Sequence, residues 1–211
     1  SMGSTSLLPE TSDVAAAAVA ADATKVVHVD CDLMDFAWVR AAAAKVLEEA
    51  DTLDVLCHNA GVMALRDQAT TDGYDVQMQT NHLSHFLLAK EIMPLLEKAA
   101  AKRHRARIIT HSSSARFSPA NMSGKLAAKY FGKNGGDLGG DGGWGRWMRY
   151  HQTKLANAVF AAELDRRLRA RGSKVMALCV APGFAATNLQ VTTHKDGEAF
   201  VEEGVVRIDQ P

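Results

Sequence analysis

Apolar and polar positions follow two rhythms along this chain: short runs rich in β-branched residues, and longer stretches with one apolar stripe. Lys25-Val-Val-His-Val-Asp30, Leu53-Asp-Val-Leu-Cys57, Arg107-Ile-Ile-Thr-His111 and Lys174-Val-Met-Ala-Leu-Cys-Val180 are of the first kind and predict strands. Helices are predicted between them. Asp13 to Ala23 is alanine-rich, and a stretch containing Thr80-Asn81-His82 carries apolar Leu83, Phe86, Leu87, Ile92 and Leu95. Tyr150 to Arg171 has a broad apolar face of Leu155, Val159, Phe160 and Leu164, wide enough to be buried against both a sheet and a partner helix. Strand and helix in alternation is the order of a parallel α/β sheet with right-handed crossovers. Three of the strands run into polar turns: His58-Asn59-Ala60-Gly61, Ser112-Ser113-Ser114-Ala115 and Ala181-Pro182-Gly183. Ligands of open α/β sheets bind at that end of the strands.

The chemistry concentrates in Tyr150-His-Gln-Thr-Lys154. On a helix, residues i and i+4 stand on one face. An ammonium held beside a phenol stabilises the phenolate, which is expected to lower the tyrosine's pKa towards neutrality and suit it to proton transfer. Taken alone the pattern equally describes a surface tyrosine and lysine on an amphipathic helix.

In company it says more. Asp32-Leu33, Asn59-Ala60-Gly61, Asn81, Ser113, Tyr150-x-x-x-Lys154 and Pro182-Gly183, in that order, resemble the short-chain dehydrogenase/reductase family. Tyr150-His-Gln-Thr-Lys-Leu-Ala-Asn157 and Thr80-Asn-His-Leu-Ser-His-Phe86 are most similar to its retinol-dehydrogenase-like branch. The resemblance covers residues 25–190 or so. It implies a Rossmann-like, doubly wound parallel sheet, NAD or NADP as cofactor, and interconversion of an alcohol and a carbonyl by hydride transfer. By that resemblance Ser113 holds the substrate oxygen and Tyr150 is the acid or base. Lys154 tunes Tyr150 and holds the nicotinamide ribose, and Asn81 seats a relay water. Asp32, with Leu33 beside it, meets the adenine. Asn59, Ala60 and Gly61 lie along the adenosine ribose, and Pro182, Gly183 and Thr187 meet the nicotinamide end. The branch suggests an apolar small-molecule substrate of retinoid, lipid or steroid-like kind.

Composition sets bounds on this reading. The chain has 211 residues, enough for one domain with a core, and Lys+Arg equals Asp+Glu at 24 each. That balance argues against nucleic acid or an anionic membrane as main partner. No apolar run reaches membrane-spanning length and no signal peptide is recognisable. Cys31, Cys57 and Cys179 have no paired spacing; two lie in predicted strands and read as reduced core thiols of a cytoplasmic protein. Ser1-Met2 reads as a cleavage scar and residues 1–12 as a disordered leader, followed by a single domain over 13–211. The apolar helix face makes a homo-oligomer the expected assembly.

The departures from the family pattern are equally specific. Members open with a strand and a T-G-x-x-x-G-x-G turn whose amides receive the pyrophosphate. Here Gly3 is the only glycine before Gly61. Asp13–Ala23 resembles the family's second helix and Lys25–Asp30 its third strand, so the sheet is expected to be N-terminally incomplete and cofactor binding weak. Lys25–Asp30 then pairs with the next strand, pairs with another chain, or stays unpaired. Glycines from Gly132 to Gly145 form an insertion that reads as a flexible surface loop, since no strand precedes them. Trp144 and Trp147 line a substrate cleft or anchor a core, the two readings standing level. Gly204–Ile208 is expected to be a remnant of the last strand. His28, Asp30 and Asp32 alternate on one strand face, but without a second ligand cluster they read as solvated or cofactor-facing, and no metal is expected. His82, His85 and His111 read as packed or surface histidines, and Asp35 as a helix cap. A second function class stays open: a remnant that keeps the family's sheet but binds or scaffolds without catalysis.

Overall fold

The computed structural model describes residues 25–117, 124–183 and Leu189. The predicted helix over Asp13–Ala23, the remnant strand over Gly204–Ile208 and Thr187 lie outside the described residues. The chain divides into two units, Ser1–Asp30 and Cys31–Pro211. Of the first, Lys25–Asp30 carries no regular secondary structure, so the strand predicted there does not form. Its histidine and aspartate instead make a solvent-exposed pair, His28 Nδ1 to Asp30 Oδ1 at 3.7 Å.

The second unit holds three parallel strands, β1 (Val55–His58), β2 (Ala106–His111) and β3 (Val175–Val180), in the order 1-2-3. Helix α1 (Phe36–Glu49) precedes β1, and its N-cap is Asp35, as expected, whose carboxylate accepts the Ala37 amide at 2.7 Å. Between β1 and β2 run a short turn α2 (Val76–Met78), a π-helical turn (Gln79–Leu83) and α3 (Ser84–Arg103). Lys102 and Arg103 sit in the last turn of α3, favourable to its dipole, and His104 ends it in a left-handed conformation. Helix α4 (Gly143–Ala170) links β2 to β3. It begins two turns earlier than the apolar stripe suggested, because Gly143 to Arg149 continues the helix without contributing to that stripe.

Strand β2 alternates in burial: Ala106, Ile108 and Thr110 point into the protein. Ala106 and Ile108, with Val175 and Ala177, meet Ala89, Leu96, Ala99 and Ala100 of α3 and Leu168 of α4 in one apolar cluster. Phe160 and Leu164 pack against it, while Val159 of the predicted apolar face is exposed. The opposite sheet face presents Val55, Cys57, Leu178 and Val180 to solvent. All three cysteines are exposed, which overturns the expectation of core thiols. A hydrophobic strand residue is buried only if its face is covered, and the sequence of a strand does not say which face is.

Candidate active site

Parallel register brings the ends of β1, β2 and β3 to one edge of the sheet, and there Asn59–Gly61, Ser112–Ser113 and Ala181–Gly183 gather. Helix α4 comes back against the same edge. The Ser112 hydroxyl donates to the Lys154 carbonyl at 2.6 Å, and the Ser112 amide donates to the Val180 carbonyl at 2.8 Å. Ser113 is thereby held beside Tyr150, with which it hydrogen-bonds through its side chain. The Lys154 ammonium lies 5.5 Å from the centroid of the Tyr150 ring. Ser113, Tyr150 and Lys154, predicted to act together, are together.

Their electrostatics differ from the expectation. Burial pushes the Tyr150 phenol above its ordinary value, and only the bond to Ser113 opposes this. Lys154 does not bring it down, because burial also pulls the lysine from 10.5 to about 8, with Cys179 acting weakly the other way. At 8 % exposure, and with no carboxylate or hydrogen-bond acceptor on its ammonium among the described residues, this lysine is charged at a cost.

Asn81 occupies the π-helical turn, where the widened backbone aims it back at the β1 loop. Its Oδ1 accepts the Val62 amide at 2.7 Å, and its Nδ2 donates to the Val62 carbonyl at 2.8 Å and to Thr153 Oγ1 at 3.0 Å. Its main-chain carbonyl accepts from Asn157 Nδ2 at 3.0 Å and from His85 Nδ1 at 3.2 Å. Both amide hydrogens and both carbonyl lone pairs therefore have protein partners. Asn81 thereby pins Val62, next to the Asn59–Gly61 turn, to α4. The same packing favours glycine at 61, since a Cβ there would stand 3.0 Å from Asn81 Oδ1, which would have to give by a few tenths of an ångström.

Of the other predicted contacts, Asn59, Ala60, Pro182 and Gly183 are exposed at this edge. Asp32 uses Oδ1 to cap its own turn through the Met34 amide at 2.8 Å, and the Leu33 carbonyl accepts Ser84 Oγ at 2.6 Å. Among the described residues no group of three or more His, Cys, Asp or Glu is placed to hold a metal ion. His82 and His85 are buried, as expected of packed histidines. His85 stacks on His58 at 4.8 Å, and burial pulls His58 to about 3 and His85 to about 4. Trp147 packs edge-on against the Tyr150 ring at 5.8 Å, whereas Trp144 is 66 % exposed and anchors no core.

A row of polar residues on α4 escaped the sequence reading. Gln77 Nε2 donates to the Arg146 carbonyl at 3.1 Å, Arg149 Nε lies 3.3 Å from Asp75, Thr153 receives Asn81, and Asn157 meets His82 Nδ1 at 2.9 Å. Arg149, Thr153 and Asn157 recur at i+4, one position away from Tyr150 and Lys154. This buried seam sets the rotation of α4 against the segment 75–82. Four-residue spacing of polar side chains beside the Tyr/Lys pair was the signal that could have revealed it.

The glycine insertion also departs from its reading as a flexible loop. The amides of Gly136, Leu138 and Gly140 donate to the Asp67 carboxylate at 3.0, 2.7 and 2.9 Å. Gly135 is fixed by contact, since a Cβ there would come within 2.5 Å of the Tyr74 carbonyl oxygen. The amides do receive an anion, and that anion is the chain's own.

A family model described as short chain dehydrogenase matches residues 4–133. Retinol dehydrogenase 14 of Homo sapiens is 36% identical over 160 residues, which are 76% of this chain and 42% of that protein. Polyprenol dehydrogenase of Homo sapiens is 32% identical over 166 residues, 78% of this chain and 46% of its own length. The chain thus spans less than half the length of either relative. Among solved structures, an uncharacterised protein from Mycobacterium paratuberculosis superposes with a TM-score of 0.57 at 31% identity, covering 90% of this chain and 65% of that one. An NADPH-bound carbonyl reductase from chicken fatty liver gives 0.54 at 25%, covering 77% and 60%. Among the described residues no helix is long and apolar enough to cross a membrane.

Proposed function

The chain belongs to the short-chain dehydrogenase family, and we propose that its residues serve an NAD(P)-dependent oxidoreductase interconverting an alcohol and a carbonyl compound. The observation that carries this is the meeting, at the carboxyl edge of a parallel sheet, of Ser113, Tyr150 and a buried Lys154 ammonium that has no acceptor among the described residues. A nicotinamide, when bound, takes or supplies the hydride. Ser113 Oγ donates to the substrate oxygen and holds it at the phenol. Tyr150 Oη gives that oxygen a proton when a carbonyl is reduced and removes it when an alcohol is oxidised.

The residues present fit one half of the cofactor. Lys154 Nζ has donors to spare beside the space that Gly61 leaves open, which suits ribose hydroxyls; their oxygens would also favour its charged form and so favour a tyrosinate. Asn59 to Gly61 and Pro182-Gly183 flank that space. The glycine-rich turn that opens α4 follows no strand, and its Gly136, Leu138 and Gly140 amides are taken by Asp67, so the pyrophosphate has no matching cradle among the described residues. The second reading is a family-like sheet that binds without turning over.

The substrate class we infer is apolar, a prenoid or retinoid alcohol or aldehyde. Support comes from the relatives named for retinol and polyprenol, and from Trp147 packed on the Tyr150 ring. The test is absorbance at 340 nm with NADH or NADPH and all-trans-retinal. Turnover is expected, falling at least about 10²-fold in Tyr150→Phe, the lower range for loss of an acid or base. Near-native turnover in that variant would overturn the mechanism, and no turnover by the unaltered chain would favour the binding reading.

A further inference from the structure

Arg149 is completely buried, and so is the charge around it. Its guanidinium faces Asp67 (Nη1 to Oδ2, 3.5 Å) and Asp75 (Nε to Oδ2, 3.3 Å), whose side chains are 3 % and 0 % exposed. It also donates to the carbonyls of Gly140 and Leu65, each at 3.0 Å. Asp67 is the hub on the other side. Its carboxylate accepts three amides of the segment 136–140, and its own amide donates to Asp141 Oδ1 at 2.7 Å. Arg146 Nε returns to the Asp141 carbonyl at 2.7 Å. One arginine therefore ties together the loop that leaves Asn59–Gly61, the glycine segment and the start of α4.

Such a cluster is a poor device for stability alone, since two carboxylates and one guanidinium taken out of water are commonly no better than a well-packed apolar set. Its place in the chain gives it another use. Arg149 immediately precedes Tyr150, and a helix residue held by two hydrogen bonds and two carboxylate contacts fixes the direction of its neighbour, about 100° round the axis. We propose that Asp67 and Arg149 are positioning residues for Tyr150. Asp67 seats the glycine segment by filling its amide nest, Arg149 locks that assembly to α4, and together they hold the phenol against Ser113. Oriented amides that enclose an anion are a known concavity; here the occupant is built in, so the segment works as a clasp. The proposal rests on Tyr150 being the acid or base for its importance to catalysis, but not for its geometry.

The test is therefore read without cofactor. Amide exchange of Gly136, Leu138 and Gly140 is followed by NMR in the unaltered chain, Asp67→Asn, Asp67→Glu and the charge-free pair Asp67→Asn with Arg149→Met. Tyr150 ionisation is followed by phenolate absorbance, with Tyr150→Phe subtracting Tyr74 and Tyr130. We expect exchange to speed up at least about tenfold in Asp67→Asn and in the double variant. The Tyr150 titration should move down towards that of an exposed phenol by about half a pH unit or more, because a loosened helix start admits water. Asp67→Glu should recover part of both. Without Arg149, Asp75, whose carboxyl burial already raises to about 6, takes up a proton, so the double variant leaves no buried unpaired charge and keeps the test readable if Asp67→Asn does not fold. Faster exchange with a Tyr150 titration that superimposes on the unaltered chain, in either variant, would overturn the proposal. Absence of turnover in the unaltered chain in the retinal assay, with the titration displaced in the variants, would sink the oxidoreductase reading and leave the clasp standing.

Discussion

Replacing Lys154 by methionine should stabilise this protein at neutral pH while removing the group its proposed chemistry needs. Lys154 is 8 % exposed, its ammonium has no acceptor among the described residues, and burial takes it from 10.5 to about 8. That drop corresponds to about 3 kcal/mol against holding the charge in the folded chain. Linkage gives the sign. Between pH 8 and 10.5 the unfolded chain binds the proton and the folded chain does not, so stability rises with pH across that window. Below pH 8 both states are charged and the full cost is present. Methionine keeps most of the stem volume and carries no charge, so Lys154→Met should gain about 2–3 kcal/mol at pH 7, a sizeable fraction of an ordinary folding free energy. The assay is urea unfolding at pH 7, 8, 9 and 10, staying below the range where the raised Tyr150 phenol works in the opposite direction. The unaltered chain should gain stability through the series relative to Lys154→Met. Parallel pH dependences for the two proteins, or a less stable variant at pH 7, would refute the account of Lys154 as a desolvated, unpaired charge.

Acid should act through the stacked histidines: His58 and His85 are pulled to about 3 and about 4, so stability is full above pH 6.5 and is lost as pH falls. Roughly 5 kcal/mol should disappear by pH 4.5, and His58→Leu should remove about half of that slope in denaturant titrations at pH 7, 5.5 and 4.5. Gly135→Ala forces a Cβ to within 2.5 Å of the Tyr74 carbonyl oxygen and 2.6 Å of the Ala69 Cα. Both are backbone atoms, so the expected cost is at the upper end of about 1–3 kcal/mol. That should read as a fall in Tm of roughly 5–10 °C, and an unchanged Tm would contradict the close approach.

How much of this was legible in the sequence follows from how each feature is encoded. Strands β1, β2 and β3 were placed to within two residues because β-branched runs bounded by polar turns carry their own signal. Ser113, Tyr150 and Lys154 were legible because a helix spacing and a strand end are local properties. Lys25–Asp30 has the composition of a strand and is not one. A strand is completed by its neighbour, and composition does not supply one.

The charges were misjudged for a related reason. An i, i+4 spacing reports that Lys154 is near Tyr150, but whether the lysine lowers the phenol's pKa depends on what surrounds both. Here burial acts on the two groups at once: it raises the acid and drains the base meant to tune it. The glycine insertion shows the same limit from the other side. No strand precedes its glycines, which argued against a phosphate cradle, yet its amides still converge on an anion. That anion, Asp67, lies about seventy residues earlier and was invisible to any local pattern. The features the sequence hid are those in which polar side chains meet across the fold: Asp67 with Arg149, Asp75 with Arg149, His82 with Asn157. They gather on the helix that carries Tyr150, where a small rotation would separate the phenol from Ser113. Apolar packing tolerates such a rotation more readily than a row of directional bonds does. A polar seam along that helix is thus what a proton-transfer site would require, whichever substrate it serves.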